Sequence, residues 1–202
     1  IAIVFGIARA SGAWSSTRLL LTGVVVSAGW GAMINILLTT SANNSVYSML
    51  FWLMGDLSQS SAGWISTGIL LLGFMLMMWQ ARAMNVLARG DLQAEALGVN
   101  VPRLKLFLYF ATSVLTACAV TIAGSIGFVG LVIPHMLRLL GARDHRILIP
   151  SSVLLGGSFL MIADSVARSI VAPLQLPVGV VTAMIGVPVF LLILRHTRSA
   201  RE

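Results

Sequence analysis

An all-α, polytopic transmembrane helical bundle is the fold class that this 202-residue sequence predicts. Three observations carry the prediction. Hydrophobic residues make up 58% of the chain and charged residues 9%, with a mean hydropathy of +0.97, whereas soluble domains are about a quarter charged. The apolar residues fall in repeated runs of about 17 to 25, the length a helix needs to cross the hydrocarbon. The runs are continuous rather than alternating, which argues against barrel strands, and a spanning segment must satisfy its own backbone hydrogen bonds, which leaves helices.

In chain order, complete spans are expected near residues 19–38, 62–79, 106–123, 126–140, 147–167 and 178–194. The opening "IAIVFGIA" reads as the tail of a further span, so the expectation is six complete spans plus part of another, in a chain that reads as a fragment. No basic head, short apolar core and small-residue cleavage site mark a removable leader. The third and fourth spans are divided at "AGSIG", where Gly124 and Gly127 permit a tight reversal. The polar stretch 39–45, "TTSANNS", is expected as a wet outer loop or the mouth of a path, and Trp52 and Trp64 suit an interfacial belt. Small residues within the spans, as in "LLGGS" and "AMIGVP", let helices approach closely. A single membrane domain is expected over 1–202, with one extramembrane segment at 88–102.

Basic residues orient this layout, because cytoplasmic loops collect Lys and Arg. Alternating spans put Arg9, Arg18, Arg82, Arg89, Arg103, Lys105, Arg138, Arg143, Arg146, Arg195, Arg198 and Arg201 on one side, and leave Arg168 alone of the 13 basic residues on the other. Undoing the split at "AGSIG" would divide them almost evenly. The side rich in arginine, with the C-terminus, is therefore expected to be cytoplasmic. The net charge of +7 is strung along this rim without interleaved aromatics, which points to anionic membrane lipid and not to nucleic acid. Cys118 is the sole cysteine, so it forms no internal disulfide and reads as a packing residue.

Against this background "GDLQAEALGVN", residues 90–100, is unusual for its two acids. Asp91 is placed to cap a short helix and Gly98 to end it, while Leu92, Ala96 and Val99 share one face at i, i+4 and i+7. One reading is an interfacial helix lying on headgroups. Acids suit an anionic leaflet poorly, however, and Asp91 and Glu95 at i, i+4 repel by roughly 0.2 to 0.5 kcal/mol, so a docking helix for a cytosolic partner is the other reading.

Three segments together resemble the FecCD-type permeases of ABC importers for siderophores, haem, cobalamin and similar chelates. "MNVLARGDLQAEALGV" is similar to that family's coupling-helix segment, "GSIGFVGLVIPHMLRLLGARDHRILIP" to its central signature, and "ADSVARSIVAPLQLPVGVVTAMIGVPVFLLIL" to its C-terminal one. Ala88-Arg89 ahead of Gly90 departs from the more apolar pair of the family, and the chain resembles only the C-terminal portion of a ten-span subunit. The resemblance implies the helical bundle of a type II ABC importer permease, with several partners. These are two copies of a cytosolic ABC ATPase, a periplasmic or lipoprotein substrate-binding protein, and a second permease subunit, identical or paralogous. It also implies that Gly90, Asp91, Ala94, Glu95, Leu97 and Gly98 receive the ATPase, that Arg168 docks the binding protein, and that Ser16 and Thr17 belong to the cytoplasmic gate. No cofactor and no metal is implied.

Several of these residues have plainer readings. Arg168 stands four residues after Asp164, so the two can form a local pair, or Arg168 can snorkel to the interface. Asp164, if within hydrocarbon, costs about 2.5 to 3.5 kcal/mol and is expected to face protein or water. Ser16 and Thr17 suit a helix cap, and His135 after Pro134 reads as a packing residue and not a metal ligand. Lys105 is the only lysine, and its "PRLKLFL" setting excludes a GxxxxGK[ST] nucleotide loop; the chain is thus expected to be no enzyme, and an ATP-driven role needs a separate ATPase. Two rival classes remain. An ion-coupled secondary carrier would want acids or broken helices at mid-depth, and an intramembrane enzyme built on Asp164 or His135 would want a nucleophile and base in reach.

Overall fold

The computed structural model describes residues 16–41, 43–58, 63–171 and 173–199. Every regular element among them is helical: α1 (Ser16–Thr40), α2 (Asn43–Leu53), α3 (Trp64–Leu87), α4 (Asp91–Ala96), α5 (Val101–Ala123), α6 (Val129–Leu139), α7 (His145–Ser169) and α8 (Val178–Ser199). The chain divides into two compact units, Ile1–Leu50 and Phe51–Glu202.

In the first unit α1 is a 25-residue helix whose apolar side chains, Trp30 and Leu37 among them, are largely exposed. Its polar end is satisfied internally, since the hydroxyls of Thr39, Thr40 and Ser41 donate to carbonyls one turn back. α2 begins at Asn43, so part of the stretch read as a wet loop is helical. The "IAIVFGIA" segment and Arg9 lie outside the described residues.

The span count is where the structure corrects the sequence. Among the described residues four helices are long and apolar enough to cross a membrane: Leu20–Thr40, Trp64–Leu87, Val101–Ala123 and His145–Ser169. The runs 126–140 and 178–194 do not join them. α6 has 11 residues, about 16 Å at 1.5 Å per residue, against a hydrocarbon core of about 30 Å. The apolar part of α8, Val178–Ile193, also falls short, at about 24 Å by the same rise. For α6 the cause is a break in the backbone. α5 stops at Gly124, whose φ is +70°, residues 124–127 are not helical, and Phe128 at φ +66° only then starts α6. An unbroken apolar run in the sequence is thus a bent one in the fold. Phe128 lies hard against Gly186, where a Cβ would come within 2.5 Å of the Phe128 Cβ, so the non-helical stretch lies beside α8 two turns in from its start.

Within the second unit, α3 packs on α5 and α7, and α8 on α6 and α7. Consecutive helices alternate in direction, and two ends result. One gathers the end of α2, the end of α5, the end of α7 and the start of α8. Its core is Ala163, Ala167, Val178 and Val181, flanked by Leu57, Ile126, Val166 and Leu176. Gly124 is required here, because a Cβ would fall 2.0 Å from the Trp52 carbonyl oxygen and its positive φ disfavours other residues. The opposite end gathers the end of α3, α4, the start of α5, the end of α6 and the start of α7.

Candidate functional site

The most distinctive construction at this second end is α4, six residues between Gly90 and Gly98. Its N-cap is Gly90, at φ +118° and without a side-chain cap, so Asp91 does not take the capping role its side chain suits. The Asp91 carboxylate instead accepts from Lys105 Nζ on α5, and the lone lysine of the chain neutralises an acid that had looked in need of an external partner. The stop is a Schellman motif: Gly98, at φ +82°, donates to the Glu95 carbonyl at 2.9 Å and Val99 to that of Ala94 at 3.0 Å.

The buried face of α4 also differs from the expected stripe. Ala94 is fully buried, whereas Leu92, Ala96, Glu95 and Leu97 are exposed, Leu92 to 84% and Leu97 to 65%. A small residue lets so short a helix sit close to α3 and α5, and the leucines are left outward. Two outward leucines beside an outward carboxylate form a protruding knob, mixed in polarity.

Sequence reasoning missed the clamp that holds α3, just ahead of this knob, to α7. Asn85 Oδ1 accepts from the His145 backbone N–H at 2.8 Å and lies 2.7 Å from the His145 ring Nδ1. Asn85 Nδ2 donates to Asp144 Oδ1 at 2.6 Å. With its oxygen facing a backbone donor, the Asn85 amide has one consistent orientation, and the ring Nδ1 carries the proton. Asp144 also caps α7, accepting from Arg146 N–H at 2.8 Å. That backbone bond, then the Asn85 amide, holds the Asp144 carboxyl below the usual carboxylate range. The available signal was an Asp before a helical His-Arg; nothing in the sequence paired it with Asn85.

At the opposite end Arg168 and Asp164 do meet, Nε donating to Oδ2 at 2.8 Å. Arg168 is exposed and Asp56 is close enough to add to the attraction. Asp56 is itself fixed by Ser58, whose N–H and hydroxyl donate to its two oxygens at 2.7 and 2.8 Å. One edge of the guanidinium is therefore committed and its position set. Arg168 and α4 are at opposite ends of the unit and are not brought together.

Ser16 and Thr17 form the first residues of α1, and their side chains lie outside the described residues, as does that of Arg18. His135 packs edge-on against Phe190, ring centroids 6.0 Å apart, and Cys118 Sγ lies 3.9 Å from the Ser66 carbonyl. Among the described residues no three His, Cys, Asp or Glu side chains converge as a metal site would need.

Residues 1–196 match the model of the FecCD transport family. The chain belongs to that family. Among FecCD relatives it is similar to the uncharacterized ABC transporter permease protein YvrB of Bacillus subtilis, 42% identical over 93% of this chain and 54% of that protein. It is likewise 42% identical to the cobalamin import system permease protein BtuC of Halobacterium salinarum, over 95% of this chain and 52% of the relative. The hemin transport system permease protein HmuU of Yersinia pestis is 38% identical over 99% and 60%. A solved inward-facing ABC transporter assigned to the metal-chelate type superposes with a TM-score of 0.85 at 32% identity, covering 96% of this chain and 63% of the other. The chain thus spans little more than half the length of these curated relatives.

Proposed function

We propose that this chain belongs to a permease subunit that carries a metal chelate of the siderophore, haem or cobalamin class across a bacterial or archaeal inner membrane. The single observation that supports it most is the family match over residues 1–196, together with relatives named for cobalamin and hemin import. Transport is driven from outside the chain: two copies of a cytosolic ATPase press on the segment Gly90, Asp91, Ala94, Glu95, Leu97 and Gly98, with the arginine-rich end facing the cytoplasm. The outward leucines and carboxylate of α4 support this reading, since an apolar-acidic knob at a membrane's inner face is better matched by a protein groove than by anionic headgroups. Arg168 faces the other compartment and docks a substrate-binding protein; Ser16 and Thr17 take part in the inner gate, opposite their counterparts in a second permease subunit.

Mechanically, force arriving at α4 has two routes into the bundle. The Lys105–Asp91 pair passes it to α5 and the Asn85 clamp to α7. α7 carries Arg168 at its far end, so a single helix runs from the clamp beside α4 to the second docking surface.

The test is uptake and ATPase co-purification in the full-length permease. Gly98→Pro, which removes the N–H that closes the Schellman turn, is expected to abolish both while the subunit remains in the membrane; an unchanged ATPase yield would reject the coupling role. For Arg168, Arg168→Glu is expected to abolish binding-protein capture, whereas Asp164→Asn, which breaks the local pair but keeps the cation, retains it. Equal loss in the two variants would make the pair structural only.

A further inference from the structure

At the arginine-rich end the second unit holds a cavity of about 790 Å³ that the transport reading does not use. Its polar lining is cationic or imidazole: Arg138, Arg143, His135 and His145. Its remaining wall is apolar, with Leu87, Leu108 and Leu139 prominent. Leu108 is two turns into the spanning helix α5 and Leu87 closes the spanning part of α3, while Arg138 and Arg143 stand at and beyond the end of α6. The cavity therefore begins among apolar helix turns and finishes where the helices leave the membrane.

Its charge is unbalanced. Among the described residues neither Arg138 nor Arg143 belongs to an ion pair, and no acid lines the cavity. Asp144, next in sequence to Arg143, has its Oδ1 occupied by Asn85 and by the Arg146 N–H. The same clamp fixes the His145 ring through Nδ1, so one member of the lining is pre-positioned. Two guanidiniums, which suit phosphate oxygens bidentately, above an apolar wall describe an amphiphile with an anionic phosphate head.

We infer that this cavity binds an anionic phospholipid of the surrounding leaflet, its phosphate on Arg138 and Arg143 and the upper part of its acyl chains along Leu87, Leu108 and Leu139. A lipid in this place wedges between the end of α3, next to the α4 knob, and the α6–α7 turn, so its occupancy stiffens the region through which docking force enters. The inference holds whatever cargo is carried.

The experiment uses the full-length permease reconstituted in phosphatidylcholine with either phosphatidylglycerol or phosphatidylethanolamine, followed by native mass spectrometry of retained lipid. Phosphatidylglycerol is expected to stay bound and phosphatidylethanolamine to leave. Arg138→Gln with Arg143→Gln should weaken retention about thirtyfold, at about 1 kcal/mol for each arginine. The Arg138→Lys, Arg143→Lys pair keeps the charge and much of the binding, which separates lost recognition from lost folding. Arg82→Gln with Arg89→Gln, at the same end but outside the cavity, should weaken retention far less than loss of the cavity pair. The inference is overturned if retention survives loss of both cavity arginines or fails equally in the Arg82/Arg89 control. It is also overturned if inorganic phosphate displaces the lipid at equal concentration, which would make this a free-anion site, or if a bound ATPase shields both arginines in the intact complex.

Discussion

The two ends of the Phe51–Glu202 unit each bury apolar residues but differ in the joints added to them. Around Arg168 the helices meet backbone to backbone: Gly124 lies under the Trp52 carbonyl and Gly179 under that of Met54, each with room for no Cβ, over a core of alanines and valines. Around α4, where Ala94, Val101, Leu104 and Leu148 are buried, the helices are tied as well by side-chain polar bonds, Lys105 to Asp91 and Asn85 to Asp144 and His145, on groups that are exposed or half-buried. Close packing is discrete, either formed or lost. Polar bonds near water exchange partners at a net cost of about 1 kcal/mol each. The contrast teaches that one end is closed by backbone contacts with no slack and the other adds exchangeable polar joints to its core, which suits the proposed coupling at the α4 end.

The largest expected effect separates two glycines that share a positive φ but not their surroundings. Gly124→Ala puts a methyl 2.0 Å from a backbone oxygen that has no soft side chain to yield, whereas at Gly98 nothing lies within 4 Å of the added carbon. Gly98→Ala therefore costs only the left-handed conformation, about 1 to 2 kcal/mol. Gly124→Ala adds overpacking, about 1 to 3 kcal/mol more. Thermal unfolding in detergent should show Gly124→Ala with much the lower midpoint. Equal midpoints would remove the distinction between the ends.

A middle-sized effect is expected at the clamp. Asn85→Ala strips partners from the His145 backbone N–H and from the Asp144 carboxylate, and an unsatisfied, partly buried donor costs about 1 to 3 kcal/mol. Hydrogen exchange in the first turn of α7 should rise, while the Arg168 end stays protected. Acid sharpens the comparison. The Asp144 carboxyl is held below its ordinary value, so its stabilising contribution is complete above the usual carboxylate range and fades as pH falls through the folded value. In Asn85→Ala one of the two leading causes of that depression is gone, and the loss of protection on acidification should set in at higher pH. A profile that does not move would mean Arg146 N–H alone governs Asp144.

Much of this was legible from residues alone. Continuous apolar runs, the acids of 90–100, the αL stop at Gly98 and the Asp164–Arg168 spacing all depend on local sequence, and hydropathy, capping and i, i+4 geometry act locally. What failed depends on distant contacts. The run Ile126–Leu140 looks like a span because hydropathy is blind to backbone direction, and Phe128, in a left-handed turn packed against Gly186, delays the helix start to Val129 and leaves 11 residues. The Asn85 clamp is invisible for the same reason: its partners lie about sixty positions on. The stripe Leu92, Ala96, Val99 misled because a six-residue helix needs only one buried point, and Ala94, small enough for close approach, supplied it.

The smallest effect belongs to the ion pair between α4 and α5. Lys105 and Asp91 retain 40% and 56% exposure of their side chains, and exposed ion pairs are worth about 0 to 1 kcal/mol, because water screens the attraction and two long side chains lose freedom to form it. Lys105→Gln should leave the unfolding midpoint nearly unchanged. It should nevertheless speed hydrogen exchange across Asp91–Ala96, since this pair and the buried Ala94 are among the few attachments of α4. Raising salt should erase the difference between Lys105→Gln and the parent, because screening already removes most of the pair at about 1 M, where the Debye length is about 3 Å. A large, salt-independent loss of stability would mean that α4 is a packed part of the body like the Gly124 end, and the exchangeable joint would then have to be sought elsewhere.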